Sequence, residues 1–303
     1  MRRRNGRNVH GVLLLDKPIG ASSNQVLQQV KRLYQAKKAG HTGSLDPLAT
    51  GMLPICFGEA TKVSAYLLNA DKHYRVTGQL GIATETGDSE GEISKRRELP
   101  YLDEQTLTQV LEQFRGEVMQ VPPMYSALKH QGKRLYEIAR AGEVVTREPR
   151  RVVISKLRLI EYSEDLITLD VSCSKGTYIR SLIEDIGEAL GSCAHVVSLR
   201  RTGVDPFVSA NMVTYDHLQR VVANDPSELT TFLAPVDSVL QHWPAVHLDS
   251  EQSQSITQGQ SLSWPASDAL NWCRIYQERD FIGIGQVESG RLHPRRMMQM
   301  QTA

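Results

Sequence analysis

The 303-residue chain carries 23% charged and 40% hydrophobic residues, the proportions of a globular protein rather than a disordered one. A formal net charge of +1 speaks neither for nor against a polyanionic partner, and the length predicts about two domains. The four cysteines, Cys56, Cys173, Cys193 and Cys273, lack C-x-x-C or zinc-like spacing, and the nine histidines make no H-x-x-x-H pair. Reduced thiols, a cytoplasmic setting and no metal centre are therefore expected.

Arg2, Arg3, Arg4 and Arg7 make residues 1–10 a basic arm. Gly11 to Leu15 reads as a short buried strand, halted by Asp16-Lys17-Pro18. That halt counts against a signal peptide, and no apolar run nears the ~18 residues of a membrane span. Ser22-Ser23-Asn24-Gln25 has the form of a capping box. The helix it opens carries Val26, Val30 and Leu33 on one face.

Gly40-His41-Thr42-Gly43-Ser44-Leu45-Asp46-Pro47-Leu48-Ala49-Thr50-Gly51-Met52-Leu53-Pro54 has too many glycines and prolines for a helix. It shows no alternation for a strand either, so a shaped loop is expected throughout. Pro47 biases Asp46 toward extended geometry. Taken alone, Asp46-Pro47 is an ordinary turn initiator. The loop nevertheless offers one carboxylate, one imidazole and three hydroxyls.

Residues 59–68 suit a helix, with Val63 and Leu67 four apart. Tyr74, Val76, Gly78 and Leu80 then alternate with polar residues, the period of a half-buried strand. Thr84 to Gly91 is turn chemistry and is expected to be exposed. Asp103 can cap a helix with Leu107, Val110, Leu111 and Phe114 inward, stopped at Gly116. After Pro122-Pro123 comes a basic segment, Ser126 to Arg140, with the character of an arm projecting from the fold. Arg147, Arg150, Arg151, Lys156 and Arg158 form a further basic stretch, most simply a solvated surface.

Residues 152–160 and 166–173 read as strands. Thr177 is a candidate cap for a helix with Ile179, Leu182, Ile183, Ile186 and Leu190 inward and Gly191 as its stop. Arg180 falls in the first turn of that helix, where the dipole disfavours a cation, so an anion is sought for it. His195 to Arg201 is another strand. Past Pro235, short strands at Trp272–Tyr276 and Phe281–Val287 point to a small separate β domain, with a boundary near residues 240–247. Strands mixed with isolated helices predict an α+β fold with mainly antiparallel pairing.

Individually the polar candidates are ordinary: Tyr74 as a strand aromatic, His41 as a loop histidine, Lys17 as a turn lysine, Arg180 as a surface arginine. Together their setting is specific. Gly11-Val12-Leu13-Leu14-Leu15-Asp16-Lys17-Pro18, the whole Gly40 to Pro54 stretch, Tyr125-Ser126-Ala127-Leu128-Lys129, Cys173 to Arg180, and His195 to Gly203 stand in the order of the TruB family. The chain resembles that family from about residue 10 to 215, and less closely in the tail. The family makes pseudouridine at position 55 of tRNA, in the T loop.

The resemblance implies a pseudouridine synthase fold at residues 11–240, with an RNA-gripping insertion at about 125–150 and a PUA-like barrel at 247–303. It implies Asp46 as the catalytic nucleophile, supported by Arg180 and by Tyr74 stacked on a flipped uracil. His41 would enter the T loop, Tyr178 and Leu199 would line the pocket, and Lys129 would stand at the root of the insertion. Lys17 and Pro18 would buttress the loop bearing Tyr74. No cofactor, membrane or obligatory protein partner is implied, and a monomer is expected.

The residues themselves leave three uses of Asp46 open: attack on C1′, addition to C6, or removal of a C2′ proton. A non-catalytic RNA-binding or tRNA-folding protein could use the same surface. A guide-RNA-dependent enzyme acting on ribosomal RNA is the third reading, disfavoured by the insertion and by the absence of long extensions.

Overall fold

The computed structural model describes residues 6–208, 211–265 and 271–300. Arg2, Arg3 and Arg4 of the expected arm lie outside them. In chain order the first half contains β1 (Gly11–Lys17), α1 (Ser23–Leu33), β2 (Ala39–His41), β3 (Thr50–Phe57), α2 (Ser64–Asn69), β4 (Lys72–Leu80), β5 (Ile82–Thr84), β6 (Ile93–Arg96), α3 (Glu104–Glu112) and β7 (Gly116–Gln120). There follow β8 (Lys129–His130), β9 (Lys133–Arg134), α4 (Leu135–Arg140), β10 (Arg150–Ser163), β11 (Leu166–Cys173), α5 (Ile179–Ala189) and β12 (Ala194–Val204). The chain continues with β13 (Phe207–Val208), β14 (Val213–Thr214), α6 (Tyr215–Asn224), β15 (Leu233–Ala234), β16 (Ala245–Leu248), α7 (Ser250–Thr257), β17 (Leu262–Ser263), β18 (Trp272–Gln277), β19 (Asp280–Glu288) and β20 (Arg291–Met297).

One mixed sheet of 11 strands organises the molecule, its spine in the order β14-β1-β3-β12-β4-β11-β10-β7. Most pairs are antiparallel; β1–β14 and β3–β12 are parallel. The side-chain period of two explains which strands were readable. In β4 and β11 one face packs on α5 and α3 while the other carries Arg75, Thr77, Thr168 and Asp170, so both strands alternate.

The middle of the sheet is buried on both faces. From β1, Val12 faces a core shared with the C-terminal sheet, and Leu13 and Leu15 face α1 and α6. β3 is similarly enclosed, with every residue from Gly51 to Phe57 buried. The stretch expected to be loop throughout therefore ends in a central strand. Without a solvent face there is no alternation to see. Pro54 fits because its carbonyl accepts from Thr42 N, at 3.1 Å, where the pairing with β2 runs out. The missing N–H thus falls at a ladder's end.

Several local expectations are corrected. The segment 59–68 divides into a 3₁₀ turn, Gly58–Lys62, and α2. Thr177 is no cap: its hydroxyl donates to Ser174 O at 2.9 Å, and Tyr178 occupies the cap position without a side-chain bond. The Ser22 capping box and the Asp103 cap do form. Gly191, at φ +79, ends α5 as expected. Gly78 lets α5 settle on the sheet, since a Cβ there would come within 2.8 Å of Ile183.

Beyond Pro235 a five-stranded half-barrel runs in the order β16-β18-β19-β20-β17. It has a core of its own, around Val246, Ile256, Cys273, Ile275 and Leu292, and shares a second one with the large sheet. Tyr276, Phe281, Ile284 and Met298 join Val12, Met52, Cys56, Val63 and Leu67 in one hydrophobic core. Polar bonds stitch the same seam: Lys62 Nζ donates to Met297 O at 2.9 Å, and Tyr276 Oη to Asp237 Oδ2 at 2.5 Å. No helix among the described residues is long and apolar enough to cross a membrane.

Candidate active site

Asp46 lies on the crossing between β2 and β3, and the backbone around it is fixed from three sides. Ser23, the first residue of α1, donates its hydroxyl to Leu45 O (3.0 Å) and accepts from Leu45 N (2.7 Å). Pro47 O accepts from Gly20 N at 2.8 Å and from Lys17 Nζ at 3.3 Å. Gly43 O accepts from Arg201 Nη2 at 3.2 Å. A turn so tethered cannot swing its carboxylate far.

Arg180 reaches that carboxylate from the first turn of α5, with Nη2 3.0 Å from Asp46 Oδ2. Its guanidinium also donates to Thr86 O (2.7 Å) and Tyr125 O (2.7 Å), and Nη1 lies 3.5 Å from Asp88 Oδ2. Arg180 is 6% exposed and Asp88 4%, whereas 42% of the Asp46 side chain is open. The buried cation is thus compensated, and the carboxylate with an open side is Asp46. Enclosure by the protein raises the Asp46 pKa above the ordinary value; Arg180 opposes this, Asp88 adds to it and Lys17 opposes it.

The aromatic candidates approach the same carboxylate. Tyr74 in β4 is half-buried against the core that holds Leu45, Leu48 and Leu199. Burial raises its pKa, and the nearby Arg201 opposes that. Burial likewise raises the Tyr178 pKa, and the charge of Asp46 bears on both rings. The Tyr178 backbone is held by Gln120, which accepts from Tyr178 N at 2.7 Å and donates to its carbonyl at 3.0 Å. Leu199 is a buried wall residue of β12. Burial, then Arg201, lower the pKa of His41 and favour its neutral imidazole.

Three family segments match the chain in succession: the TruB family pseudouridylate synthase N-terminal domain at residues 31–179, the tRNA pseudouridylate synthase B C-terminal domain at 180–241, and the pseudouridine synthase II TruB C-terminal segment at 244–298. A tRNA pseudouridine synthase B of Pseudomonas paraeruginosa is 52% identical, with 97% of each chain covered. One from Nitrosococcus oceani is 48% identical over 99% of this chain and 98% of its own.

The chain belongs to the TruB family.

Among solved structures, a Cbf5-Nop10-Gar1 complex superposes with a TM-score of 0.72 at 25% identity, covering 95% of this chain and 84% of that one. An H/ACA RNP bound to a substrate RNA gives a TM-score of 0.71 at 22% identity over 99% and 91%, a likeness of fold. This TruB chain is thus a pseudouridine synthase in both fold and family.

Three residues of the site escaped the sequence reading. Asp88 and Thr86 sit in the stretch expected to be an exposed turn, yet Thr84, Gly87 and Asp88 are buried because the turn folds back beneath Arg180. Arg201, 1% exposed, donates from Nε to Met52 O at 2.6 Å as well as to Gly43 O, so it grips both limbs of the Asp46 crossing. It also pairs with Tyr74 across the β4–β12 ladder. Gly51 is required beside it, since a Cβ there would lie 2.2 Å from Arg201 O.

The two lysines expected to contact substrate differ in setting. Lys17 is fully buried and donates to Pro18 O, Ala21 O and Pro47 O, so it braces the Asp46 turn rather than the strand of Tyr74. Burial pushes its pKa down to about 8, with Asp46 and Glu90 opposing. Lys129 is exposed on β8, which forms a two-strand ribbon with β9 in the insertion.

Proposed function

We propose that this TruB-family enzyme, which acts on tRNA, converts uridine-55 of the T loop to pseudouridine, with Asp46 as nucleophile on a flipped-out base. The observation that carries the reading is the half-open Asp46 carboxylate held 3.0 Å from a buried Arg180. The names of the relatives, tRNA pseudouridine synthase B, support tRNA as substrate.

The chemistry suits one carboxylate. The N1–C1′ bond breaks and a C5–C1′ bond forms; C5 loses a proton and N1 gains one. Neither an electron acceptor nor net water is needed. Hydrolytic glycosidases need a second carboxylate to activate water; here the detached uracil stays in place and re-adds. Each of the three uses open to Asp46 needs it ionised, and Arg180 favours that form against burial.

Extruding the base costs a few kcal/mol. Stacking on Tyr74, worth ~1–3 kcal/mol, offsets part of that. The neutral imidazole of His41 enters the T loop without placing a charge in the base stack. Tyr178 and Leu199 flank the uracil, and Lys129 with the insertion grips the stem. Lys17 acts through the Asp46 turn. The half-barrel from β16 onward gives the RNA a further surface.

A T-arm RNA carrying 5-³H-uridine tests the reading, because release of the C5 proton reports turnover. Wild type is expected to release tritium and Asp46→Asn to release none while keeping tRNA affinity within a few-fold. Binding without release by wild type would leave an RNA-binding or tRNA-folding protein instead. Parallel loss of affinity in Asp46→Asn would make Asp46 structural.

A further inference from the structure

The charge of the chain is unevenly placed. Residues 1–40 hold nine Lys or Arg against one Asp, so a net charge of +1 divides into +8 here and −7 over the remainder. That one acid, Asp16, is already engaged by Arg200 at 2.7 Å. The N-terminal segment and the end of α1 bring Arg7 and Lys37 together. Arg7 N donates to Gln35 O (2.7 Å) and Lys37 N to Arg7 O (3.1 Å), which lays the N-terminal segment alongside the end of α1. Gln35, at φ +50, makes the turn between them.

Arg7, Arg32, Lys37 and Lys38 are exposed and Lys31 half-exposed, and among the described residues none of the five is in an ion pair. Lys31 and Arg32 occupy the last turn of α1, where the helix dipole favours cations. That accounts for two of them; Lys37 Nζ donates to Asn8 Oδ1 at 3.0 Å, and no side-chain bond of Arg7 or Lys38 is seen among the described residues. A groove of about 520 Å³ runs between Gly6, Gln28, Lys31, Arg32, Gln35 and Ala36, so amide donors stand beside the cations.

The surface is joined to the active site at two points. Lys38 precedes His41 by three residues, about 10 Å along a strand. The other end of α1, about 16 Å away, is Ser23, bonded to Leu45 beside Asp46. The insertion, whose Tyr125 carbonyl touches Arg180, supplies the other basic surface, with six Lys or Arg against three Glu in residues 125–150.

We propose that Arg7, Lys31, Arg32, Lys37 and Lys38 form a second phosphate-backbone contact for the RNA substrate, reached through β2 and α1 rather than through the insertion. Arg2, Arg3 and Arg4 precede Arg7 in sequence and lie outside the described residues. RNA is the occupant because unpaired cations beside amide donors suit successive phosphates, and because the neighbouring active site takes RNA. The inference rests on that functional reading.

The test is filter binding of a tRNA transcript across a series of KCl concentrations, with the full-length chain. The quadruple substitution Lys31→Ala, Arg32→Ala, Lys37→Ala, Lys38→Ala should weaken binding about 30-fold at moderate salt. The dependence of log affinity on log salt should become shallower by about 2 to 3, and kcat/KM for tritium release should fall by the same factor as affinity. The corresponding Lys→Arg triple variant should bind like wild type. Affinity and salt slope within twofold and 0.5 of wild type would overturn the proposal, as would weaker binding with an unchanged slope. Wild type that binds tRNA with a steep salt slope yet releases no tritium defeats the functional reading and leaves this test intact.

Discussion

The Asp46 site and the insertion of residues 125–150 are built by opposite means. Around Asp46, backbone carbonyls and buried cations fix each element: Lys17 on Pro47, Arg201 on Met52 and Gly43, Arg180 on Thr86 and Tyr125. The insertion has two-residue strands, a six-residue helix, and a few anchors such as Ser126, Leu135 and Ile138 beneath an exposed basic surface. Chemistry needs atoms held to a fraction of an ångström, whereas attraction of a polyanion needs charge over an area. The division predicts that the two regions fail differently when altered.

Arg180→Met should give the largest effect, because it touches both regions. It leaves Asp88 buried without its cation and frees Tyr125 O at the root of the insertion. Tritium release should become undetectable, and urea denaturation should show a loss of about 3–5 kcal/mol. Near-wild-type turnover would break the contrast outright.

Arg201→Lys comes next. A single ammonium cannot span Met52 O and Gly43 O, so the Asp46 turn shifts relative to Tyr74. We expect kcat to fall about 100-fold with tRNA affinity little changed. A rise in KM alone would show that Arg201 serves binding. In the insertion, the triple variant Lys129→Ala, Lys133→Ala, Arg134→Ala should do the reverse, raising KM about tenfold while the saturated rate stays within twofold.

Glu184 gives the smallest effect and sharpens the border between the regions. Burial pushes its pKa up to about 7, with Arg180 and Arg147 of the insertion opposing. Between about 4.5 and 7 the unfolded chain has released a proton that the folded chain keeps. Stability should therefore fall as pH rises through that window and level off above it. In Glu184→Gln this fall should shrink, and parallel pH–stability curves for the two proteins would contradict the assignment.

The sheet was legible where one face meets water. Tyr74 to Leu80 and Ile167 to Cys173 alternate because Arg75 and Asp170 pair on an open face. β3 was hidden because both of its faces are covered. Arg200 and Arg201 show why the site was only partly legible. They are adjacent and chemically alike, yet the strand turns one outward to Asp16 and the other beneath the Asp46 turn. Which is which depends on the register of β12 between β3 and β4, and that is a long-range pairing. Asp88 was hidden for a related reason: it has the local chemistry of a turn, and only α5, some ninety residues later, buries it.

The seam between the two sheets has a mechanical consequence. Met52, whose carbonyl holds Arg201, shares a core with Phe281 and Ile284, and the C-terminal end of β20 and its continuation are bonded back to Lys62 and Glu59. Packing and hydrogen bonds thus run from the half-barrel to the Asp46 turn. The spacing between the two is therefore set by packed side chains and hydrogen bonds rather than by a linker.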